Sequence, residues 1–421
     1  MSERRLPVRP DLDQLKNQAK DLLRGIRAGD PSAIEEFEAN HPQKIDAARA
    51  KLADAQLALA RAYQAPSWPR LVRACRMVEA IWNDDLEGVR DLVTKYPDLL
   101  HESVLIRDGN WGAPMSYAAN LGRDRIIEML RERGATDVMH AFYRAVLQSK
   151  VETARRLHEM AGRPRLDDNA FDTPAYTLSA PGTALLLELG GRMYGDKGQR
   201  LAPVDVVLET DSRIPPAKHE ILEMYAGHGL KLPDTPTMAL HRGRIDLLEQ
   251  HLRRDSNLLR RAFTFEEIYP PEMGCHDELL ATHGTPLAGA TLLHMAVDYD
   301  ELEIAKWLLA RGMNVDEKAA VDADGFGGHT ALFATVVSQP NFWMNHNHKP
   351  QVAPFTQLLL EHGADPNARA SLRKQLHPGY GPDTMHEYRN VTPLGWGERF
   401  HRKIFVSEPA MRLIAERGGH V

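Results

Sequence analysis

The side chains most suited to acid–base chemistry are concentrated in the last third of the chain. Eleven of the 19 histidines lie in residues 271–421, where about 7 would be expected from an even spread. The candidate catalytic residues of this region are His329, His377, His386, Glu387, Tyr388 and His401. Imidazole and carboxylate groups that converge serve as general base, general acid or metal ligand. We expect chemistry here only if the fold brings these distant positions together.

A second group has a spacing typical of metal ligands. His276 and His283 are seven positions apart, which would place them on one face of a helix, and Asp277 and Glu278 lie beside the first imidazole. Nearby proline and glycine disfavour that helix, so His276 and His283 are weak candidates for metal ligands. The sequence does not identify a cofactor, and a divalent metal is one alternative. The motifs G-x-S-x-G, G-x-x-x-x-G-K-[ST], H-E-x-x-H and C-x-x-C are absent from the sequence, so the common enzyme classes that use them receive no support.

Two Gly-aromatic-Gly sequences lie in the same region, one around Phe326 and one around Tyr380. Glycine permits tight turns and close backbone approach, and the aromatic ring offers a face either to a partner or to its own loop. We predict Phe326 and Tyr380 as binding residues. Arg373 and Lys374 add local positive charge for pairing with an anionic ligand, and the alternative for both is solvation at the surface.

The elements that must position these residues repeat along the chain. Thr291 begins a segment that runs through an apolar helical pattern to Gly312, and Ala113 begins a similar one that ends at Gly134. The offset is 21 positions in both. Two further copies run from Thr330 to Gly363 and from Thr392 to Gly418, with offsets of 33 and 26, so they carry insertions between their helices.

Each copy has the pattern of a helix pair. A threonine or a proline begins the first helix, apolar residues recur at helical spacing, and a glycine ends the second helix in a left-handed conformation. One pair cannot bury its apolar face alone, so the pairs must stack. Truncation of a stacking residue, Leu308→Ala or Leu130→Ala, is therefore predicted to cost about 2 to 5 kcal/mol.

These segments resemble ankyrin repeats, most closely over residues 109–137 and 289–367. The resemblance implies an all-α solenoid of about eight to nine helix pairs, joined by hairpins or loops. It also implies recognition of a protein partner through the concave face, without chemistry. In such repeats His294 has a structural role, because its hydrogen bonds tie neighbouring hairpins together.

The N-terminal segment differs from the repeats. Apolar residues of residues 12–26 line one face of a helix that ends near Gly29, Asp30 precedes a second helix, and residues 51–63 form a third. Through residues 52–56 and 66–69 it resembles the helical leader found ahead of ankyrin repeats in some bacterial proteins. We predict a capping region over residues 1–70, partly degenerate repeats over 71–260, and repeats with long inserted loops over 261–421.

The connections between the last repeats are unusually long. The regular repeat of about 33 residues leaves about 12 residues between a terminal glycine and the next threonine, but Gly312 to Thr330 spans 18 and Gly363 to Thr392 spans 29. Neighbouring long loops on one edge are able to enclose a pocket. Two functions stay open: a module that binds a protein partner or a small-molecule ligand, and a hydrolase, isomerase or lyase with a histidine-rich pocket that works either with or without a metal ion.

Composition restricts the partners. The chain has 421 residues, with 52 basic against 58 acidic side chains and a formal charge of −6, which argues against nucleic acid and anionic membranes as partners. The sequence also has no apolar stretch long enough to span a bilayer. Only Cys75 and Cys275 are present, too few for a disulfide framework, so we expect a cytoplasmic protein with reduced thiols.

Overall fold

A computed structural model of the protein describes residues 4–43, 46, 49–107, 109–276, 284–338, 351–376 and 384–421. The chain divides into two compact units, Met1–Arg165 (unit 1) and Leu166–Val421 (unit 2). The boundaries that the sequence suggests at residues 70 and 260 stay predictions.

Unit 1 is built from helices. In its described residues they are α1 (Leu12–Ala28), α2 (Pro31–Asn40), α3 (Leu52–Ala62), α4 (Trp68–Trp82), α5 (Leu86–Lys95), α6 (Pro114–Leu121), α7 (Asp124–Glu132), α8 (Val138–Leu147) and α9 (Val151–Met160), with a 3₁₀ turn at Pro97–Leu100. The first helices of successive pairs, α4, α6 and α8, pack side by side. The pairs predicted from apolar periodicity are therefore confirmed in this unit.

The leader helices begin and end where their local sequence requires. The side chain of Asp11 accepts hydrogen bonds from the backbone N–H groups of Asp13 and Gln14 at the start of α1, and Gly29 ends that helix with φ at 76°. Asp30 caps α2, with Pro31 at its first position. The apolar faces of α1, α2 and α3 meet in a buried cluster that includes Leu22 and Phe37, as the spacing predicts.

Unit 2 contains the remaining helices and one strand pair. In its described residues the helices are α10 (Asp172–Tyr176), α11 (Ala180–Glu188), α12 (Val204–Glu209), α13 (Pro215–Gly227), α14 (Pro236–His241), α15 (Ile245–Arg254), α16 (Phe265–Ile268), α17 (Leu292–Asp298), α18 (Leu302–Ala310), α19 (Ala331–Val336), α20 (Pro354–Glu361), α21 (Pro393–Arg399) and α22 (Glu408–Glu416). Short 3₁₀ turns lie at Ser256–Arg260, Pro271–Met273 and Lys403–Phe405.

Within unit 2 the first helices of the last repeats form one row. Helix α14 contacts α17, α17 contacts α19, and α19 contacts α21. Every residue of α17 and of α19 is buried. The mainly α-helical fold and the stacking of helix pairs are thus confirmed.

The long connection between Gly363 and Thr392 is not the plain loop that the sequence suggests. It contains strand β1 (Ala370–Lys374), which pairs antiparallel with β2 (His386–Val391). Leu372 lies opposite Tyr388, and Lys374 lies opposite His386. The inserted residues therefore extend a hairpin of the repeat array.

Among the described residues, no helix combines the length and the apolar character needed to cross a bilayer.

Candidate functional site

Backbone hydrogen bonds join the connections between the repeats of unit 2 into a band, here called the hairpin band. The bond from Phe263 N–H to Ala290 O (2.8 Å) closes the connection ahead of α17 on itself. Two bonds link successive connections: Ala320 N–H to Gly289 O (2.8 Å) and Gly327 N–H to Ser371 O (2.7 Å). The last bond places the loop of Phe326 beside β1. Gly327 has φ at 117°, and a Cβ there would overlap the carbonyl oxygen of Ala320, so this close approach requires glycine.

One side of the hairpin band borders a cavity of about 670 Å³, here called the hairpin cavity. Its apolar walls include Phe263, Phe265, Val321, Phe326, Leu372 and Met385. Glu266, Asp322, Arg373 and Lys374 contribute polar groups. The wall residues come from three successive connections, at residues 262–289, 320–329 and 372–385. The inserted segments therefore meet, which is what a binding site between them requires.

Two large apolar side chains of the hairpin cavity are exposed to solvent. Val321 is 61% exposed and Met385 is 52% exposed, whereas most apolar side chains of unit 2 are buried. Exposed apolar side chains around a concave site are typical of surfaces that bind a partner.

His329, the first candidate catalytic residue, is buried and ties hairpins together. Its Nε2 lies 3.1 Å from the carbonyl oxygen of Pro286, and its own carbonyl oxygen lies 3.0 Å from Nε2 of His294. Burial lowers the pKa of His329 to about 3, and burial lowers the pKa of His294 to about 4. Both rings are neutral at pH 7, so His329 is poorly suited to the catalytic role that its position in the sequence suggested.

His386, Tyr388 and His401 do come together. The rings of His386 and His401 stack with centroids 3.8 Å apart and an angle of 14° between their planes. The Tyr388 hydroxyl lies 2.7 Å from Nδ1 of His401 and accepts a hydrogen bond from the His401 backbone N–H at 3.1 Å. In parallel stacked rings the nitrogen lone pairs lie in separate planes, so the two imidazoles are badly oriented to bind one ion. The contacts instead fasten β2 to the segment after α21.

Phe326 lies between two guanidinium groups. The Arg373 guanidinium carbon is 5.0 Å from the ring centroid and that of Arg389 is 4.3 Å away. Arg373 also forms ion pairs with Asp322 (2.9 Å) and Asp324 (2.8 Å). Its charge is therefore compensated by carboxylates of the loop around Phe326, and the pairing of Arg373 with an anionic ligand stays a prediction. The aromatic ring therefore contacts Arg373 of β1 and Arg389 of β2, and its role as a binding residue stays a prediction.

Lys374 and Glu387 lie on opposite strands and in different environments. Lys374 is buried and contributes to the wall of the hairpin cavity. Burial raises the pKa of Asp298, and the positive charge of Lys374 opposes that shift. Glu387 is exposed and pairs with Arg389 at 3.0 Å.

The metal candidates are only partly described. His276 is exposed, its Nδ1 lies 2.7 Å from the carbonyl oxygen of Gly274, and its backbone N–H donates to Glu209. His283, His377 and Tyr380 lie outside the described residues. Within the described part of the chain no group of three or more His, Cys, Asp or Glu side chains is arranged to hold a metal ion.

Sequence reasoning missed a buried charged cluster in unit 2. Arg213 donates to the carboxylate of Asp298 (3.0 Å) and to its carbonyl oxygen (3.1 Å). Nearby, Nζ of Lys218 lies 2.9 Å from Glu301, which also lies 2.7 Å from Nε2 of His219. All of these side chains except His219 are buried.

The cluster is organised around the ring of Tyr299. The charged groups of Arg213 and Lys218 each lie 4.3 Å from its centroid, and its hydroxyl donates to the carbonyl oxygen of Leu208. Burial lowers the pKa of Lys218, although the carboxylate of Glu301 opposes that shift. Burial tends to raise the pKa of Glu301, but Lys218 and His219 outweigh it, and the pKa is lowered. The partners lie more than 80 residues apart in sequence, so no local pattern signals them.

Comparison with known proteins supports the repeat assignment. Residues 288–320 match the Ankyrin repeat family. This segment includes α17 and α18 and contributes Gly289 and Ala320 to the hairpin band. No curated protein matches the chain. Among solved structures, the chain is similar to the crystal structure of the human ASB11 ankyrin repeat domain, with 14% identity, coverage of 73% of this chain and 99% of that chain, and a TM-score of 0.28.

Proposed function

We propose that this ankyrin-repeat chain is a binding module that takes up a segment of a protein partner in the hairpin cavity. The observation that carries the proposal is the cavity itself, which crosses three successive connections and has exposed Val321 and Met385 at its walls. Stacked repeats provide extended surfaces of this kind for partners. The inserted segments give the surface its depth, and depth allows side chains of a partner to be buried.

Binding accounts for the geometry better than catalysis does. The buried His329 would have to act as a base with a pKa of about 3, and its ring already donates to Pro286. His386 and His401 are stacked on each other. An enzyme built on these side chains would need a different arrangement.

The proposal includes a cytoplasmic location in a bacterium. Cys75 and Cys275 are both buried as free thiols, which agrees with a reducing compartment.

The test uses a phage-displayed library of random dodecapeptides selected on the full chain. We expect hydrogen exchange with the selected peptides to show protection at residues 262–266, 320–328 and 372–375. The double variant Val321→Glu/Met385→Glu places two carboxylates on the apolar walls, so it is expected to weaken binding about tenfold or more.

Val352→Glu/Val421→Glu provides the matched control. Val352 is 71% exposed, Val421 is 50% exposed, and neither borders the hairpin cavity, so their replacement adds the same two charges elsewhere in unit 2. We expect this variant to bind the selected peptides like the parent. Peptides whose footprint lies outside the cavity, or binding that the Val321→Glu/Met385→Glu variant retains in full, would contradict the proposed function.

A further inference from the structure

A second cavity adjoins the hairpin cavity on the side of the preceding repeat. Its volume is about 430 Å³, and its walls come from the end of α15, the start of α14 and the segment around α16; it is here called the acidic cavity. Phe263 and Glu266 border both cavities. The two spaces are therefore neighbours along one surface of unit 2, with these two side chains between them.

The acidic cavity has more negative than positive charge. Its walls carry the carboxylates of Asp234, Asp255, Glu266, Glu267 and Glu272 against the cationic or titratable side chains of Arg254, Arg261 and His251. The carboxylate of Asp234 lies 3.2 Å from a guanidinium nitrogen of Arg254, with which it forms an ion pair, and 3.3 Å from Nε2 of His251. The carboxylate of Glu267 forms an ion pair with the guanidinium group of Arg261.

Three carboxylates of the acidic cavity are left without an ion pair to any described residue: Asp255, Glu266 and Glu272. Asp255 accepts a hydrogen bond from the backbone of Asn257 at 2.9 Å, so it has a capping role as well. Glu266 and Glu272 are exposed and border the acidic cavity. The electrostatic complement of this surface is a cation.

We propose that the partner segment is an extended peptide that places an apolar side chain in the hairpin cavity and a lysine or arginine in the acidic cavity. This inference rests on the proposed function and specifies its partner. The apolar walls around Val321 and Met385 select the first side chain, and the unpaired carboxylates select the second. A bare divalent cation fits less well, because the described residues contain no group arranged to hold a metal.

The shared wall explains why one segment reaches both sites. Phe263 is buried, and the guanidinium of Arg261 lies 4.9 Å from its ring centroid on the side of the acidic cavity. The exposed Glu266 also borders both cavities, so a peptide that passes it goes from the apolar walls to the acidic walls. Charge at the second cavity then contributes specificity and association rate more than bulk affinity.

The experiment uses the peptides selected from the dodecapeptide library. We expect them to be enriched in lysine or arginine close to an apolar residue. Replacing that lysine or arginine by norleucine is expected to weaken binding about threefold to tenfold in 50 mM salt. The variant Glu266→Gln/Glu272→Gln is expected to weaken binding of the parent peptide to a similar extent and to bind the norleucine peptide as the parent protein does.

Glu398→Gln/Glu416→Gln is the matched control, because both residues are exposed, belong to unit 2 and do not border either cavity. It removes the same charge and is expected to leave peptide affinity unchanged. An equal loss in this control, or selected peptides that protect the hairpin cavity without enrichment in basic residues, would overturn this inference and leave the proposed function standing. Failure of every selected peptide to protect the hairpin cavity would overturn the proposed function itself.

Discussion

The imidazole of His294 lies against the backbone of His329: Nε2 of His294 is 3.0 Å from the carbonyl oxygen of His329, and the two rings meet edge to face with centroids 5.1 Å apart. His329 in turn reaches the carbonyl oxygen of Pro286 at 3.1 Å. Each ring therefore fixes the backbone of a different connection. The shape of the hairpin cavity depends on these two hydrogen bonds, because His329 and Pro286 both border it.

The buried histidines of unit 2 predict that this unit loses stability in mild acid. Burial lowers the pKa of His294 to about 4 and that of His329 to about 3, and it also lowers the pKa of His241. In the unfolded chain these side chains bind protons with an ordinary pKa near 6.5. Below pH 6.5 the unfolded state therefore binds more protons than the folded state. The free energy of unfolding has its full value above that pH. As the pH falls below 6.5, it decreases by up to about 4 kcal/mol per pH unit for the three sites together.

Urea denaturation at pH 7.5, 6.5 and 5.5 measures this slope. His329→Gln removes one titrating ring and is expected to reduce the slope by about 1.4 kcal/mol per pH unit. The exposed His420 serves as the control, since its replacement by glutamine is expected to leave the slope as it is. A stability of unit 2 that stays constant from pH 7.5 to 5.5 would show that these rings do not stay neutral in the folded protein.

Glu301→Gln is predicted to destabilise unit 2 strongly. Glu301 is the counter-charge of Lys218, and both side chains are buried, with Nζ and the carboxylate 2.9 Å apart. Removal of the carboxylate leaves a buried ammonium group without compensation, so the expected loss is about 3 to 5 kcal/mol in the free energy of unfolding. Urea denaturation of the variant at pH 7.5 measures it.

A second substitution separates charge from packing in this cluster. In the double variant Lys218→Met/Glu301→Gln the uncompensated charge is gone, and the glutamine is still able to contact His219, so we expect recovery of most of the lost stability. Strictly additive losses in the two single variants and the double variant would mean that Lys218 and Glu301 do not interact.

The parts of the fold that the sequence predicts are those that residues close together in the chain determine. The end of α1 at Gly29, the start of α2 at Asp30 and the stop at Gly312 are set by capping chemistry within a few residues, and the structure has each of them. Strand β1 was missed for a physical reason. Its inward positions include Lys374, so the residues do not alternate between apolar and polar as a half-buried strand usually does.

The site was predictable only where neighbouring repeats determine it. The sequence predicts binding in the lengthened connections, and this stays a prediction. The structure has a cavity between these connections, bordered by Phe326 and Arg373 among others. The resemblance also implied a structural role for His294. The same role for His329 was not evident, because its contact with Pro286 spans 43 residues. The pair Arg213 and Asp298 spans 85 residues, which is beyond the reach of any periodic pattern.

Phe326→Leu is predicted to loosen the hairpin band without unfolding unit 2. Leucine fills much of the buried volume but loses the interaction of the ring with the Arg373 and Arg389 guanidinium groups, which lie 5.0 and 4.3 Å from its centroid. We expect a loss of about 1 to 2 kcal/mol, and faster hydrogen exchange confined to residues 319–329 and 370–374. Phe326→Tyr keeps an aromatic face and should exchange like the parent. Equal exchange in the leucine variant would mean that the guanidinium contacts contribute nothing.

Stacking of the helix pairs predicts that burial alone decides the cost of a leucine truncation. Leu130 of α7 and Leu308 of α18 are fully buried, so Leu130→Ala and Leu308→Ala are each expected to cost about 2 to 5 kcal/mol in urea denaturation. Leu92 of α5 and Leu358 of α20 are only half-buried, and the same truncation there removes the same atoms. We expect the half-buried pair to cost about 1 kcal/mol each, because the cavity left behind opens to solvent. Melting curves in which all four variants coincide would contradict the stacked arrangement in both units.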